Sequence, residues 1–555
     1  MNDSRQDVSQ LSVIMGIPLA EEEGIGALTL GGYLAEVTER YGPNEAAVIY
    51  GPDGPQRWSY DDLLAQSMSV ARALLACGVV KGTRVGILMT NRFEFLSTAF
   101  GTAMAGGIAT TMSTFSTPQE LDILLSQSAC SVLLFERHIL KKDFAAVLTE
   151  LEPGLAQGKP GDFASPTYPF LRHVAMVDQQ DSLGAIEGWG HFLARAEGIS
   201  PDLVKATAAA VSPADPGVLF FSSGSTGKPK GILSAHRGVC LQLWRWAKWL
   251  GLEEGHRCWS ANGFFWSGNF AIGIGGTLSS GSTLILQPTF VPEEALELMD
   301  RERATYIFAW PHQWAQLTDA SNWLDVDLSA LRYIDMDSPV AQHPTINSSW
   351  RDAVHAYGNT ETFTLSSVYP ACTPDEVAGD SHGVPVAGNT FKIVDPLTGE
   401  TVPLGERGEI AVKGPTLMLG YIGIPLDETL DEAGFFRTGD GGFIDPQGRL
   451  HWEGRLNDII KTGGANVSPV EIDSVIASCP GVKVTVTVGV PDELLGELVV
   501  ACIVPMDGVE LSADEVRAYT RERLASYKVP RQVLFFSESE LDMTGSAKVK
   551  TEELR

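Results

Sequence analysis

Residues Phe220–Gly231 read FFSSGSTGKPKG, an apolar strand-like run that gives way to hydroxyl residues and glycines with two lysines. Glycine lets the backbone approach an anion closely, serine and threonine add neutral donors, and lysine adds charge. Ser222, Ser223, Gly224, Ser225, Thr226, Gly227 and Lys230 therefore compose a candidate phosphate cradle. A merely flexible Ser/Gly loop would need neither the preceding strand nor the lysines. The spacing is not that of a Walker A loop, because Gly224 and Gly227 stand too close together and Pro229 follows Lys228.

The surrounding sequence predicts the elements that must hold such a cradle. From Ser59, SYDDLLAQSMSVARALLACG puts Leu64, Met68, Ala71 and Leu75 on one helical face and stops at Gly78. Arg84–Met89 is a short apolar strand, a helical stretch begins at Asn91, and Ser131–Phe135 is strand-like again. This alternation predicts an α/β fold. Leu151–Thr167, rich in Gly, Pro and Ala, reads as a surface connection. Toward the C-terminus Val482, Val484, Val486, Val488 and Val490 alternate as in a half-buried strand, and Glu497–Val504 supplies a second. Ser512 and Glu515 form a capping box before a helix running toward Leu524, and Gln532–Phe536 is another strand. The C-terminal part thus reads as a small α+β unit of its own.

With 555 residues the chain exceeds what one core can organise, about 250–300 residues, so at least two domains are expected. The 69 acidic against 40 basic residues leave a net charge of -29, which disfavours nucleic acid and anionic membranes as partners. Seven scattered cysteines with no CxxC spacing suggest neither a disulfide framework nor a zinc site and fit a reducing cytoplasm. No export signal is read at the N-terminus. The uncharged stretch Trp259–Pro292 is broken by six glycines, which points to buried enzyme interior and not to an integral membrane segment.

The phosphate cradle, together with Tyr357-Gly358-Asn359-Thr360-Glu361, Arg437-Thr438-Gly439-Asp440, Gly454–Glu471 and Thr544–Lys550, resembles the ordered motifs of the adenylate-forming superfamily. That superfamily comprises acyl-CoA synthetases, nonribosomal peptide adenylation domains and beetle luciferases. The resemblance implies a large N-terminal domain of layered α/β subdomains, residues 1–456, and a small mobile α+β lid, 457–555, hinged at Asn457. It also implies ATP, Mg²⁺ and coenzyme A as cofactor and co-substrates.

Physical roles can be set beside that resemblance. Glu361 offers a hard carboxylate oxygen to Mg²⁺. Thr360 can donate to the α-phosphate from beside Gly358, and Tyr357 can either stack on adenine or fill core. Asp440 suits two ribose hydroxyls, with Arg455 adding a fork of donors. Lys548 would neutralise charge growing between the attacking carboxylate and the α-phosphate, making Lys548, Glu361 and Thr226 the candidate catalytic residues. The family's proline and second glycine before this lysine are absent from Asp542–Lys548, and its adenine-contacting segment is represented only by Asp335–Pro339. Phe265 and Trp266 fall where acyl-CoA synthetases line the acid pocket, although they could equally be core. Trp259–Pro292 carries no carboxylate to pair a buried amine, so an apolar, fatty or aromatic acid is favoured.

The reading is activation of a carboxylic acid to acyl-AMP and then acyl-CoA. The alternatives are transfer to a carrier-protein thiol, or a catalytically impaired nucleotide-binding relative. Oligomeric state stays open, a homodimer among the options.

Overall fold

The computed structural model describes residues 11–223, 229–353, 355–456, 460–467, 469–506 and 508–537. An eight-stranded sheet carries, in spatial order, Ile186–Gly188, His173–Met176, Val132–Phe135, Arg84–Leu88, Ile108–Thr111, Pro216–Ser223, Pro229–Ala235 and Gly420–Tyr421. The first six run parallel and the last two are antiparallel additions. Strands such as Val132–Phe135 are buried at every position, as expected of a parallel sheet covered on both faces. A second sheet orders Tyr306–Phe308, Arg257–Ser260, Thr283–Leu286, Glu45–Gly51 and Gly54–Ser59.

Helix Phe93–Met104 is buried on all sides except at Glu94 and joins one large apolar core with residues of both sheets. Helix Tyr60–Ala76 packs on it and starts with a full Ser59–Asp62 capping box. Its buried seam includes the expected Ala71, but Leu63, Ser67, Val70 and Leu74 each lie one position before a residue of the expected face. Leu64, Met68 and Leu75 lie at the edge of that seam, half-buried. Several neighbours cover a wide arc of the helix, so the most regular apolar row need not be the deepest. The connection Leu151–Thr167 also departs from expectation: it contains a short helix, Gly154–Gln157, and buries Leu155, Phe163 and Ser165.

A third, antiparallel sheet runs Val13–Met15, Thr390–Val394, Gly408–Lys413, Phe436–Ile444 and Leu450–Arg455. The chain then enters a separate small sheet: Ala465–Val467, Ile460–Thr462, Gly496–Pro505 and Val482–Asp492, with Gln532–Phe535 parallel to Gly496–Pro505. The expected valine alternation is interrupted by a register shift between Val482 and Val484. Val482 consequently joins the core beneath helices Pro469–Ala477 and Ala513–Arg521, whereas Val486, Val488 and Val490 line the opposite face. The Ser512–Glu515 capping box is present, and its helix ends at Arg521, short of Leu524. The architecture is thus mixed α/β, with layered α/β sheets in the large part and a small α+β C-terminal part. Among the described residues no helix is long and apolar enough to cross a membrane.

Candidate active site

Strands Pro216–Ser223 and Pro229–Ala235 pair antiparallel, with Ser222 opposite Lys230 and Ser223 opposite Pro229. The two ends of the cradle are thereby held side by side at the sheet's end. Gly224, Ser225, Thr226 and Gly227 lie outside the described residues, as do Asn457 and Lys548 and the side chains of Ser223 and Arg455.

Strand Ala356–Asn359 leads into the turn Thr360–Thr362, where the Asn359 carboxamide accepts from the Thr362 N–H at 3.0 Å. Behind it Phe363 and Thr364 both take positive φ, 48° and 79°. The return strand approaches so closely that a Cβ on Gly358 would lie 1.8 Å from the Thr364 carbonyl oxygen, so only glycine fits there. This tight reversal projects Thr360 and Glu361 from a rigid base. Glu361 Oε1 accepts from the Tyr421 hydroxyl at 2.8 Å, and the Lys230 ammonium sits 5.0 Å from the Tyr421 ring centroid. Tyr421 thus ties the candidate metal-binding carboxylate to a cradle lysine. Motif reading missed Tyr421, since a lone Gly-Tyr pair carries no periodic or spacing signal.

Asp440 is buried and stands opposite Arg455 across an antiparallel ladder, so these two residues arrive together by strand register. Its carboxylate accepts from the Tyr357 hydroxyl at 2.7 Å and from Trp452 Nε1 at 3.3 Å. Tyr357 is buried among Ile232, Phe391 and Met418, and its ring meets Phe391 edge-on. Trp452, another residue that sequence reading missed, also receives the Lys461 ammonium 3.3 Å from its ring centroid. The altered segment at Asp335–Pro339 is engaged in its own network: Arg351 pairs with Asp335 at 3.3 Å and Asp337 at 2.7 Å.

Beyond Thr360 the Ser267 hydroxyl lies 3.4 Å from Thr360 Oγ1, linking the Thr360–Thr362 turn to an aromatic cleft. Phe264 is plain core against Phe95. Phe265 and half-buried Trp266 instead line the cleft together with Thr111, Phe221, Ser222 and Tyr527. Irregular helical backbone, Phe270–Gly275, follows directly, a feature frequent near functional sites. The cleft's one acidic lining residue, Glu120, is paired with Lys528.

The C-terminal unit closes over this region with its glycine turn inward. Gly464 abuts Trp310, and strand Ala465–Val467 lies against strand Pro216–Ser223. The stretch 462–466 therefore faces the site.

Comparison with known proteins gives two family-model matches: "AMP-binding enzyme" over residues 34–422 and "AMP-binding enzyme C-terminal domain" over 471–548. Feruloyl-CoA synthase from Amycolatopsis sp is 32% identical over 523 residues, covering 93% of this chain and 96% of that protein. A mitochondrial medium-chain acyl-CoA ligase of Danio rerio is 28% identical, covering 94% of this chain and 87% of its own length. Among solved structures, the Mycobacterium tuberculosis fatty acyl CoA synthetase superposes with a TM-score of 0.60 at 25% identity, covering 95% of this chain and 98% of that one.

Proposed function

The chain belongs to the AMP-binding enzyme family, and from that premise we propose that it is an ATP-dependent acid–thiol ligase. It joins a carboxylate to the α-phosphate of ATP, expelling pyrophosphate, and then passes the acyl group to the thiol of coenzyme A, releasing AMP. The observation that carries this reading is a linked set: Ser222 lies in the cleft opposite Lys230 on the paired strand, Tyr421 joins Lys230 to Glu361, Ser267 joins Thr360 to the aromatic cleft, and Asp440 stands opposite Arg455 on the antiparallel sheet.

In the first step Lys230 and the Ser222–Gly227 cradle bind the phosphates, and Thr360 donates to the α-phosphate. Asp440 and Arg455 hold the ribose. Asp440 already accepts two donors, Tyr357 and Trp452, so ribose hydroxyls would share or displace them. A divalent cation fits Glu361: its setting is a hard oxygen donor beside a phenol, and Mg²⁺ takes few protein ligands and shares the rest with phosphates and water. When bound, Mg²⁺ would neutralise phosphate charge. Lys548 and Thr226 complete the adenylation machinery.

The second step needs the thiol to reach the anhydride, and the inward glycine turn at 462–466 suits that task. We take residues 1–456 and 457–555 as the two domains, with Asn457 as hinge. In support, the antiparallel sheet ends at Arg455 and Ile460–Thr462 already belongs to the small sheet. Phe221, Phe265, Trp266 and Tyr527 favour an apolar, fatty or aromatic acid, and a cytoplasmic location fits the free cysteines. Pyrophosphate exchange into ATP across short, long, aromatic and polycyclic acids tests adenylation. Release of AMP stimulated by CoA alone distinguishes CoA from a carrier protein as acceptor. Inertness across the whole panel would leave only a nucleotide-binding relative.

A further inference from the structure

The steps above do not use Lys528, a buried cation. Lys528, on the turn Ser526–Lys528 of the C-terminal unit, is 4% exposed. Its Nζ lies 2.8 Å from Glu471 Oε1 of the same unit and 3.1 Å from Glu120 Oε1 of the large one, and both glutamates are 6% exposed. Glu120 is the third residue of helix Pro118–Ser128 and faces two ways. Its Oε2 accepts from the Thr117 N–H at 2.9 Å, closing the helix capping box, while Oε1 accepts from the Ala525 N–H at 3.0 Å as well as from Lys528. Thr117 Oγ1 lies 3.3 Å from the Arg523 carbonyl oxygen. The neighbouring Tyr527 ring meets Phe115 and Trp266 edge-on at 6.5 and 6.0 Å.

These contacts differ in what they depend on. The Lys528–Glu471 pair is internal to the small unit and survives any movement of it. The bonds from Ala525 and Lys528 to Glu120 exist only with the unit docked as here. Glu120 is held in place by its own helix cap, so the docking partner is a preformed, oriented carboxylate. One ammonium between two carboxylates also leaves net negative charge buried, so loss of the ammonium would set Glu120 and Glu471 against each other.

Resting on the acyl-CoA synthetase reading, we propose that Glu120 and Lys528 are positioning residues for thiol transfer. They form an interdomain latch that holds the glycine turn over the cleft and, in the same movement, seats Tyr527 against Trp266. Both side chains stand in the cleft wall paired with each other, and their proposed role is exerted through docking. Their effect falls on the half-reaction that uses this docked position and not on the one that precedes it.

The test uses the full-length enzyme with Lys528→Met, Lys528→Arg and Glu120→Gln. Each is assayed for pyrophosphate exchange and, separately, for thioester formation from preformed acyl-AMP and CoA. Hydrogen exchange at the Ala525 amide reports docking directly. Expected for Lys528→Met is thioester formation slowed about tenfold to a hundredfold more than pyrophosphate exchange, as for a lost charged hydrogen bond, and faster amide exchange at Ala525. Lys528→Arg should recover most of the loss. Glu120→Gln, which removes the charge and replaces one of the two accepting oxygens with an NH2 donor, should give the same split and covers the case in which Lys528→Met does not fold. Parallel loss of both half-reactions, or an unchanged ratio between them in an active enzyme, overturns the latch. A wild-type enzyme inert toward every acid would overturn the function instead, and Ala525 exchange would still judge the latch.

Discussion

Gly464 lies flat against the indole of Trp310: a Cβ built on it would sit 2.3 Å from Trp310 Cε2. Its φ of 78° is one that L side chains resist as well. The small unit can approach the large one this closely only because position 464 has no side chain. Gly464→Ala should therefore bar the docked position, cutting thioester formation from acyl-AMP by more than about tenfold while pyrophosphate exchange persists. Equal loss of both would make Gly464 a folding residue.

Tyr421 joins Glu361 to Lys230 without being a candidate ligand itself. Tyr421→Phe keeps the ring and deletes the hydroxyl. Losing a hydrogen bond to a charged group corresponds to about tenfold or more in rate or affinity. The expected signature is a raised Mg²⁺ requirement in pyrophosphate exchange with an unaltered melting temperature. An unshifted Mg²⁺ titration would show that the bond does not orient Glu361.

Trp266 is half-buried at the cleft, unlike fully packed Phe264. Trp266→Ala should shift acyl preference toward bulkier acids and leave the ATP KM nearly unchanged. If instead the acyl profile stays the same and stability falls by about 3–5 kcal/mol, the cost of truncating a core aromatic, Trp266 is core.

Lys548 carries the adenylation step in this proposal. Lys548→Ala should reduce pyrophosphate exchange by roughly 10²–10³, the effect of losing one preorganised charge-stabilising donor, and spare thioester formation from preformed acyl-AMP. Matching losses in the two assays would remove it from the chemistry.

Two buried histidines set an acid limit on stability. Burial holds His236 and His256 down to about 4, and Leu30 N–H donates to His236 Nδ1 at 3.3 Å. Unfolded, each titrates near 6.5, so between those values the unfolded chain binds more protons. Their contribution is therefore fully present above pH 6.5 and lost as pH falls toward 4, about 2 kcal/mol each by pH 5. His256→Asn should narrow the difference between melting temperatures at pH 7.5 and pH 5. An identical difference in wild type and variant would contradict this account.

The chemistry-bearing segments were legible because their chemistry is local. A phosphate cradle needs glycines, hydroxyls and lysines within one loop, and the Tyr357–Glu361 turn needs its glycine at the one position where the backbone crowds. The capping box at Ser512 is likewise contained in four residues. The alternating strands and helices carried enough periodicity to indicate α/β layering and a separate C-terminal unit.

What stayed hidden depends on residues far apart in the chain. Glu120 and Lys528 are separated by 408 positions, Tyr421 and Glu361 by 60, and no local pattern marks either pair. Asp440 meets Arg455 because of strand register, and the shift between Val482 and Val484 moves one valine into a different core. Sequence by itself determined which groups are present and which short elements they occupy, since those follow from side-chain chemistry and backbone preference within a few residues. Tertiary structure alone decided which groups meet, because burial, sheet register and the docking of one unit on another are settled by the whole chain's packing at once.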